Sequence, residues 1–295
     1  MIVARPARER SHAVLLVGLR QHGLGLFGGV IIVVLLGIAA LATWIAPHDP
    51  AQMHPGGQFR PPDYAFLFGT DNFGRDVLSR VIFGARISLH VAMTSVSVAV
   101  TLGVVVGLLS GFYGGIFDLL TMRVMDILFS FPSLLLALAL MGFLGPTLTN
   151  LIIAISIVYI PTFARITRGE VLVTRSSAFV EAAGALGASD GRIIVRHLLP
   201  NVLPILIIQA TTNMGFAIIA ESSLSYLGLG SQPPTPSWGR MLSEGRGFLA
   251  IAPWTAIFPG TALMLTVLGF LLLGDALRDV LDPRLRRGPA GQRSR

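Results

Sequence analysis

The strongest constraint on this chain is a set of long segments without a single Asp, Glu, Lys or Arg. Four of these charge-free runs hold 24 to 31 residues, and they cover residues 21–48, 87–117, 197–220 and 247–274. A helix that crosses a bilayer needs about 20 apolar residues, and an ionised side chain at the bilayer centre costs about 2.5 to 3.5 kcal/mol. Each run therefore predicts one membrane-spanning helix.

A fifth charge-free run, residues 127–164, holds 38 residues and is too long for one crossing. Gly145-Pro146 lies near its middle and is a strong turn signal, so we predict two helices joined by a tight hairpin. Pro132 and Pro161 are expected to kink their helices. The predicted fold class is an all-α polytopic membrane protein with six membrane-spanning helices, at residues 24–46, 87–111, 119–143, 148–166, 202–224 and 255–274.

The composition excludes a soluble protein and several kinds of chemistry. Hydrophobic residues make up 53% of the chain and charged residues 13%, with a mean hydropathy of +0.73. All 22 basic residues are arginine, so the lysine-containing phosphate-binding loop is missing and the chain is not expected to hydrolyse ATP. With no cysteine and no metal-binding histidine spacing, neither a metal site nor a bound cofactor is expected. The arginines flank the apolar runs, which favours membrane orientation over nucleic-acid binding as the reason for the positive charge.

The arginines also indicate the orientation. An even number of spans places both termini on one side, where 16 arginines fall, and the other side holds Arg60, Arg75, Arg80, Arg86, Arg240 and Arg246. The positive-inside rule then favours cytoplasmic termini. Cleavage of the first span as a signal peptide near Ala40-Leu41-Ala42 is the less favoured alternative.

This orientation divides the chain into a cytoplasmic segment, a first span, an external loop with an interfacial helix, a five-helix core and a basic tail. The corresponding residues are 1–23, 24–46, 47–86, 87–276 and 277–295, and the core includes a cytoplasmic loop at 167–201. A second external segment, 228–254, carries Trp238 and Trp254 and is expected to be re-entrant or to lie at the interface.

The most informative part of the cytoplasmic loop runs from Ser176 to Asn201. Phe179, Ala183 and Leu186 recur at i, i+4 and i+7, which predicts a short helix with a narrow apolar stripe. Gly187 supplies a turn after this helix. Such a helix can dock into a groove of a partner or lie at the inner membrane interface, and periodicity alone leaves both open.

The spacing in this loop resembles a motif of a known family. Glu181-Ala182-Ala183 is followed after three residues by Gly187, and after nine more by His197-Leu198-Leu199-Pro200. This pattern is similar to the EAA loop in the permease subunits of bacterial ABC importers. His197 stands where the family usually has isoleucine, but Arg196-His197 before the Leu-Pro resembles the variant in peptide permeases.

Two external segments carry a related resemblance. They are Phe68-Gly69-Thr70-Asp71 with Gly74-Arg75-Asp76, and the stretch from Leu224 to Gly239 with its Pro233-Pro234. Both are similar to C-type permease subunits of dipeptide, oligopeptide and nickel importers. With the six spans, the likeness covers nearly the whole chain.

The resemblance implies a type I ABC importer permease fold in the bacterial plasma (inner) membrane. It implies a half-channel that pairs with a second, different permease subunit and binds two ATPase subunits, which carry the ATP and Mg. An external binding protein would deliver the cargo, for which di- or oligopeptides are expected, and the chain itself would not be an enzyme. The residues implied in ATPase coupling are Glu181, Ala182, Ala183, Gly187, Arg196, His197 and Pro200.

Other polar residues in or near the spans are candidates for a pathway or a structural role. Near the outer end of the fifth span, the candidates for the substrate pathway or an external gate are Glu221, Ser225 and Tyr226. The Glu221 carboxylate is expected either to line the pathway or to contact Arg75, Arg80 or Arg86. At the inner end of the third span, Arg123 and Asp126 are expected to pair on one helix face near Asp118.

Two other functions are weighed against an importer subunit. An ion-coupled secondary transporter needs paired carboxylates near the bilayer midplane or inverted repeats with broken helices. A membrane-embedded hydrolase needs a motif such as H-E-x-x-H or G-x-S-x-G. The sequence displays none of these signatures.

Overall fold

The computed structural model describes residues 23–281, and this part of the chain is α-helical without a β-strand. Residues 1–22 and 282–295, which hold most of the predicted N-terminal segment and the end of the basic tail, lie outside the described residues. The helices are α1 (Gly23–Ala40), α2 (Ala42–Ile45), α3 (Val77–Tyr113), α4 (Gly115–Ser130), α5 (Ser133–Leu144), α6 (Leu148–Arg175), α7 (Ala178–Ala185), α8 (Asp190–Ile193), α9 (Leu199–Tyr226), α10 (Trp238–Gly245) and α11 (Trp254–Leu281). A π-helical segment, Ile194–Leu198, joins α8 to α9.

The described helices support six membrane crossings, which confirms the predicted fold class. Five are single helices long and apolar enough to cross: α1, α3, α6, the continuous stretch Asp190–Tyr226, and α11. The sixth is formed by α4 and α5 together, which are bent by 94°. The single helix predicted at 119–143 is therefore wrong.

The break between α4 and α5 has a local cause. Pro132 has no N–H for the helical ladder, and its ring disfavours helical backbone at the preceding residue. Phe131 accordingly has extended dihedrals, with φ −88° and ψ 138°. The turn at Gly145-Pro146 is present as predicted, since α5 ends at Leu144 and α6 begins at Leu148.

Several spans are longer than the charge-free runs predict. α3 begins at Val77, ten residues before the predicted start, because Asp76 caps the helix by accepting from Ser79 N at 3.0 Å. α6 continues to Arg175 and the next helix begins at Asp190, so the cytoplasmic loop shrinks from 167–201 to 176–189. Charged residues end each apolar run, but the helix continues past them. A search for charge-free runs therefore does not detect these helical extensions.

α3 and α6 form the tightest helix pair of the bundle. Three glycines of α3, at four-residue spacing, face α6: Gly103, Gly107 and Gly111. A Cβ added at Gly103 would lie 2.8 Å from Ile160 O, and one at Gly107 would lie 2.5 Å from Ala164 O. The two backbones therefore touch, as membrane helices do where small residues line the contact.

Ion pairs fix α4 to α6 at the cytoplasmic end. Arg168 Nε and Nη2 donate to the two carboxylate oxygens of Asp118 at 2.5 and 2.6 Å, and Arg165 pairs with Asp126. The expected pairing of Asp126 with Arg123 is therefore wrong. The stronger partners lie on a neighbouring helix, which a within-helix spacing rule cannot detect.

Candidate functional site

The cytoplasmic loop folds into the short helix α7. The carbonyl of Ser177 accepts from the N–H groups of Val180 and Glu181 at 3.0 and 3.1 Å and starts the helix. Gly187 follows its end with φ +80°, a conformation that costs glycine no Cβ clash, and its N–H donates to Gly184 O at 2.9 Å. The short helix and the glycine turn expected from the sequence are both present.

One face of α7 is an uncovered apolar surface, which we call the α7 ridge: Phe179, Ala182, Ala183 and Leu186. Phe179 is 47% exposed and Leu186 is 89% exposed, whereas Val180 is 6% exposed and packs against the chain. Glu181 beside the ridge is exposed as well. Within the described chain, Val180 packs inward, while Phe179, Ala182 and Leu186 of the ridge remain exposed.

The other motif residues, Arg196, His197 and Pro200, lie at the π-helical segment and the start of α9. Pro200 has no N–H to donate to Arg196 O. Just before it, the backbone hydrogen bonds change from the α-helical to the π-helical spacing, and Leu199 N–H donates to Ile194 O. The His197 ring lies 6.3 Å from the Phe179 ring, measured between centroids. His197 therefore lies beside the α7 ridge, and Arg196 and Pro200 are exposed on the same connection.

Glu221 lies inside the chain, with none of its side chain accessible. Its Oε2 accepts from Ser88 Oγ at 2.8 Å and from Ser222 Oγ at 3.2 Å, and its Oε1 accepts from Ser225 Oγ at 2.7 Å. Ser225 is buried with it. Glu221 thus joins α9 to α3 through Ser88, and both Glu221 and Ser225 are buried within this chain.

The contact of Glu221 with external arginines, one of the two expectations, is also not formed. Arg75 and Arg80 bind other carboxylates, and Glu221 has serine partners. Tyr226, the third pathway candidate, lies under Arg246, whose guanidinium carbon is 5.3 Å from the ring centroid.

Five ionised residues around the start of α3 and on α10 form a compact network, which we call the external collar because the sequence predicts this side to be external: Asp71, Arg75, Arg80, Arg240 and Glu244. Arg75 Nη2 and Arg80 Nη2 donate to Glu244 Oε2 at 2.9 and 3.0 Å, and Arg240 Nε donates to Oε1 at 3.0 Å. Arg75 Nε also donates to Asp71 Oδ2 at 2.6 Å. The collar ties the start of α3 to α10.

Two indoles extend this connection. Trp238 Nε1 donates to Val81 O and Trp254 Nε1 donates to Thr70 O, both at 3.0 Å. Trp238 is fully buried in the chain, and the expectation that segment 228–254 is re-entrant or lies at the interface stays a prediction. The segment folds onto α3, where Gly84 leaves room for the indole: a Cβ there would lie 2.9 Å from Trp238 Cδ1.

The sequence reasoning missed the central member of the collar. Glu244 is separated from Arg75 and Arg80 by 169 and 164 residues, and no local spacing rule connects them. Across residues 23–281, no group of three or more His, Asp or Glu side chains is arranged to hold a metal ion.

Comparison with known proteins agrees with this architecture. A family model described as binding-protein-dependent transport system inner membrane component matches residues 103–287, and one described as the N-terminal TM domain of oligopeptide transport permease C matches residues 17–62. The chain is 44% identical over 268 residues to a dipeptide transport system permease protein of Alkalihalophilus pseudofirmus, covering 91% of this chain and 88% of that protein.

Two further relatives are glutathione transport system permease proteins of Escherichia coli O157:H7 and Shigella sonnei. Each is 44% identical over 268 residues, covering 90% of this chain and 88% of the relative. The family matches confirm the resemblance inferred from the EAA-type loop and the external segments. The chain therefore belongs to the inner membrane components of binding-protein-dependent transport systems, as a multi-pass C-type permease subunit of the ABC importer class.

Proposed function

We propose that this chain forms half of the translocation pathway of an ATP-driven importer for short peptides. It pairs with a second permease subunit, rests on two ATPase subunits that carry ATP and Mg, and receives cargo from an external binding protein. Both termini lie in the cytoplasm, and the chain itself catalyses no reaction. The names of the relatives support the cargo class, because dipeptides and glutathione are both short peptides.

The observation that carries this proposal is the uncovered α7 ridge. An exposed apolar surface outside the membrane marks a site of association. The ridge is flanked by small residues that permit close approach, and it stands on the loop between α6 and α8. We assign it as the contact that enters a groove of an ATPase subunit, with Glu181 and Arg196 at its polar edge.

The structure also supports a way to transmit the motion. The two ATPase subunits close together on ATP, carry α7 with them, and rock the spans as largely rigid bodies. The turn at Gly187 sets the direction in which the chain leaves α7, and the π-helical segment connects it to α9. Arg175 adds a link to α3, since its Nη1 donates to Gly111 O at 2.9 Å and Phe112 O at 3.1 Å.

The ion-coupled carrier is the less supported alternative. The break between α4 and α5 is a feature that such carriers also use. Glu221, however, is bound by serines and has no carboxylate partner in those hydrogen bonds, and the family match runs through the coupling loop. These observations favour ATP-driven transport.

The test is affinity purification of the chain expressed with its neighbouring genes, combined with site-directed crosslinking. Because the chain has no cysteine, Ala182→Cys introduces a single thiol on the α7 ridge. We expect a disulfide with cysteines scanned along the ATPase groove, and none with the matched control Ala250→Cys, which is exposed on the external side. Purification of the chain alone, without ATPase subunits, would refute the proposal.

A further inference from the structure

A groove of about 280 Å³ lies within the membrane-spanning bundle, between α5, α6 and α9. Its walls are mostly apolar and include Phe216 and Ile219 of α9. Three hydroxyl groups also line it: those of Ser133 on α5, Tyr159 on α6 and Ser223 on α9. The groove reaches the break between α4 and α5, because Ser133 is the first residue of α5.

The hydroxyl groups that line this groove keep hydrogen-bonding capacity that the described chain does not satisfy. Among residues 23–281, the hydroxyls of Ser133 and Tyr159 have no hydrogen-bond partner. Ser223 Oγ donates to Ile219 O at 2.8 Å and keeps its acceptor lone pairs. α5 also starts without a side-chain cap, whereas α6 is capped by Thr147 Oγ1, which accepts from Asn150 N at 3.2 Å.

The break falls inside the predicted third span, residues 119–143, and is therefore expected at membrane depth. It follows the Asp126–Arg165 ion pair by more than one helical turn, and the whole of α5 separates it from the turn at Gly145-Pro146. Irregular backbone at that depth is tolerated only where protein covers it or where it lines a water-filled cavity, because lipid cannot satisfy the free backbone groups. Phe131, Pro132 and Ser133 are all exposed on this chain, so this surface requires a protein partner or water as its neighbour in place of lipid.

We propose that this groove faces the aqueous passage and that the hydroxyls of Ser133, Tyr159 and Ser223 contact the main chain of the passing peptide. The assignment rests on the proposed function and names the cargo-contacting residues of that pathway. A hydroxyl both donates and accepts, so it serves a peptide N–H or C=O alike. Such hydroxyl groups bind the backbone of the cargo peptide, and the side chains of the cargo contact the apolar walls of the groove. This arrangement suits a passage for peptides of different sequence.

The first test measures water access in the assembled transporter. Ser133→Cys and Ser223→Cys are introduced separately, reconstituted with all partner subunits in liposomes, and treated with a water-soluble methanethiosulfonate reagent with and without vanadate trapping. The controls are Val33→Cys on the lipid-exposed side of α1 and Ser156→Cys, which is buried between α3 and α6. In at least one state, we expect both groove thiols to react on the order of tenfold faster than either control, since only a hydrated thiol ionises.

Two results would overturn the assignment. Groove thiols that react no faster than Val33→Cys in both states show a groove filled by lipid. Groove thiols that stay unreactive in both states but form disulfides with the second permease subunit show a closed subunit interface. If either result appears while the variants still assemble and take up peptide with ATP, the groove assignment fails and the proposed function stands.

The second test removes one hydroxyl and keeps the ring. Tyr159→Phe is expected to raise the KM for dipeptide uptake about three- to tenfold, the effect of one lost hydrogen bond. Tyr113→Phe, at the cytoplasmic end of α3, is the matched control and should leave the KM unaltered. A KM for Tyr159→Phe equal to that of the control would contradict a contact between this hydroxyl and the cargo.

Discussion

The external collar and the α7 ridge are built in opposite ways. In the collar, three arginines and two carboxylates are drawn into one network with hydrogen bonds of 2.6 to 3.0 Å. At the ridge, apolar side chains are exposed and only Val180 anchors the helix. The collar is thus completed by the chain itself, whereas the chain leaves much of the ridge uncovered.

The largest expected effect comes from opening the collar. Glu244→Gln leaves Arg75, Arg80 and Arg240 with a single carboxylate, and it should lower the free energy of unfolding by about 3 to 5 kcal/mol, the cost of breaking a buried ion pair. The control Arg60→Gln removes an exposed pair with Asp63 and should cost no more than about 1 kcal/mol. Unfolding in detergent measures both, and equal losses would show that the collar is not a buried network.

A smaller loss of stability is expected from a buried apolar residue of α7 than from the collar, and an exposed apolar residue at the end of α7 should show almost none. Val180→Ala removes buried methyl groups and should destabilise the chain by about 2 kcal/mol. Leu186→Ala, at an exposed position, should change stability by less than about 0.5 kcal/mol, yet it should reduce recovery of the ATPase subunits. Thermal unfolding and copurification are measured on the same samples, and full ATPase recovery with Leu186→Ala would remove the ridge from the docking surface.

Gly187 tests whether the turn at the end of α7 matters for coupling. Gly187→Val places a branched side chain at φ +80°, which costs about 1 to 2 kcal/mol locally. We expect the subunits to assemble and ATP to be hydrolysed while peptide uptake falls about tenfold. Gly184→Val, a helical position with open space around it, is the control, and normal uptake by Gly187→Val would contradict the coupling role.

The smallest expected effect concerns the exposed external turn at Asp63. Hydrogen bonds from the backbone N–H groups of Phe66, foremost, and Ala65 hold the pKa of Asp63 below its usual range. The turn is therefore fully stabilised above the unfolded-state pKa, and this contribution is lost as the pH falls through the lowered folded-state pKa. Amide exchange of residues 63–67 at neutral and acidic pH measures it, and Asp63→Asn should remove the pH dependence.

The sequence identifies membrane crossings well because the cost of charge in lipid acts locally along the chain. It predicts kinks at Pro132 and Pro161, and the bend at Pro132 is present, but it does not identify which of the two prolines breaks its helix. Pro132 ends a helix, but Pro161, Pro204 and Pro259 lie inside the unbroken helices α6, α9 and α11. Neighbouring helices decide which of these sites stays helical, and a single segment does not contain that information.

The same distinction holds for the candidate site. The helix and turn of the cytoplasmic loop depend on short spacing and could be predicted. Glu221 was noticed as a carboxylate in a span, but its partner Ser88 is 133 residues away. Of the predicted pathway residues, Glu221 and Ser225 lie on the buried side of α9, whereas Tyr226 lies on the same side as Ile219 and Ser223 of the proposed groove.

The glycine contact between α3 and α6 has a mechanical consequence. Where two backbones touch, no side chain can change rotamer to absorb a displacement, so axial shear between the helices is opposed along the whole contact. Gly103, Gly107 and Gly111 are separated by Val104, Leu108 and other larger residues, so a slide of less than one helical turn would drive a side chain into the facing backbone. The two helices thus act as one stiff lever, with the groove residue Tyr159 and Arg175, at the end of α6 that leads to α7, on the same arm.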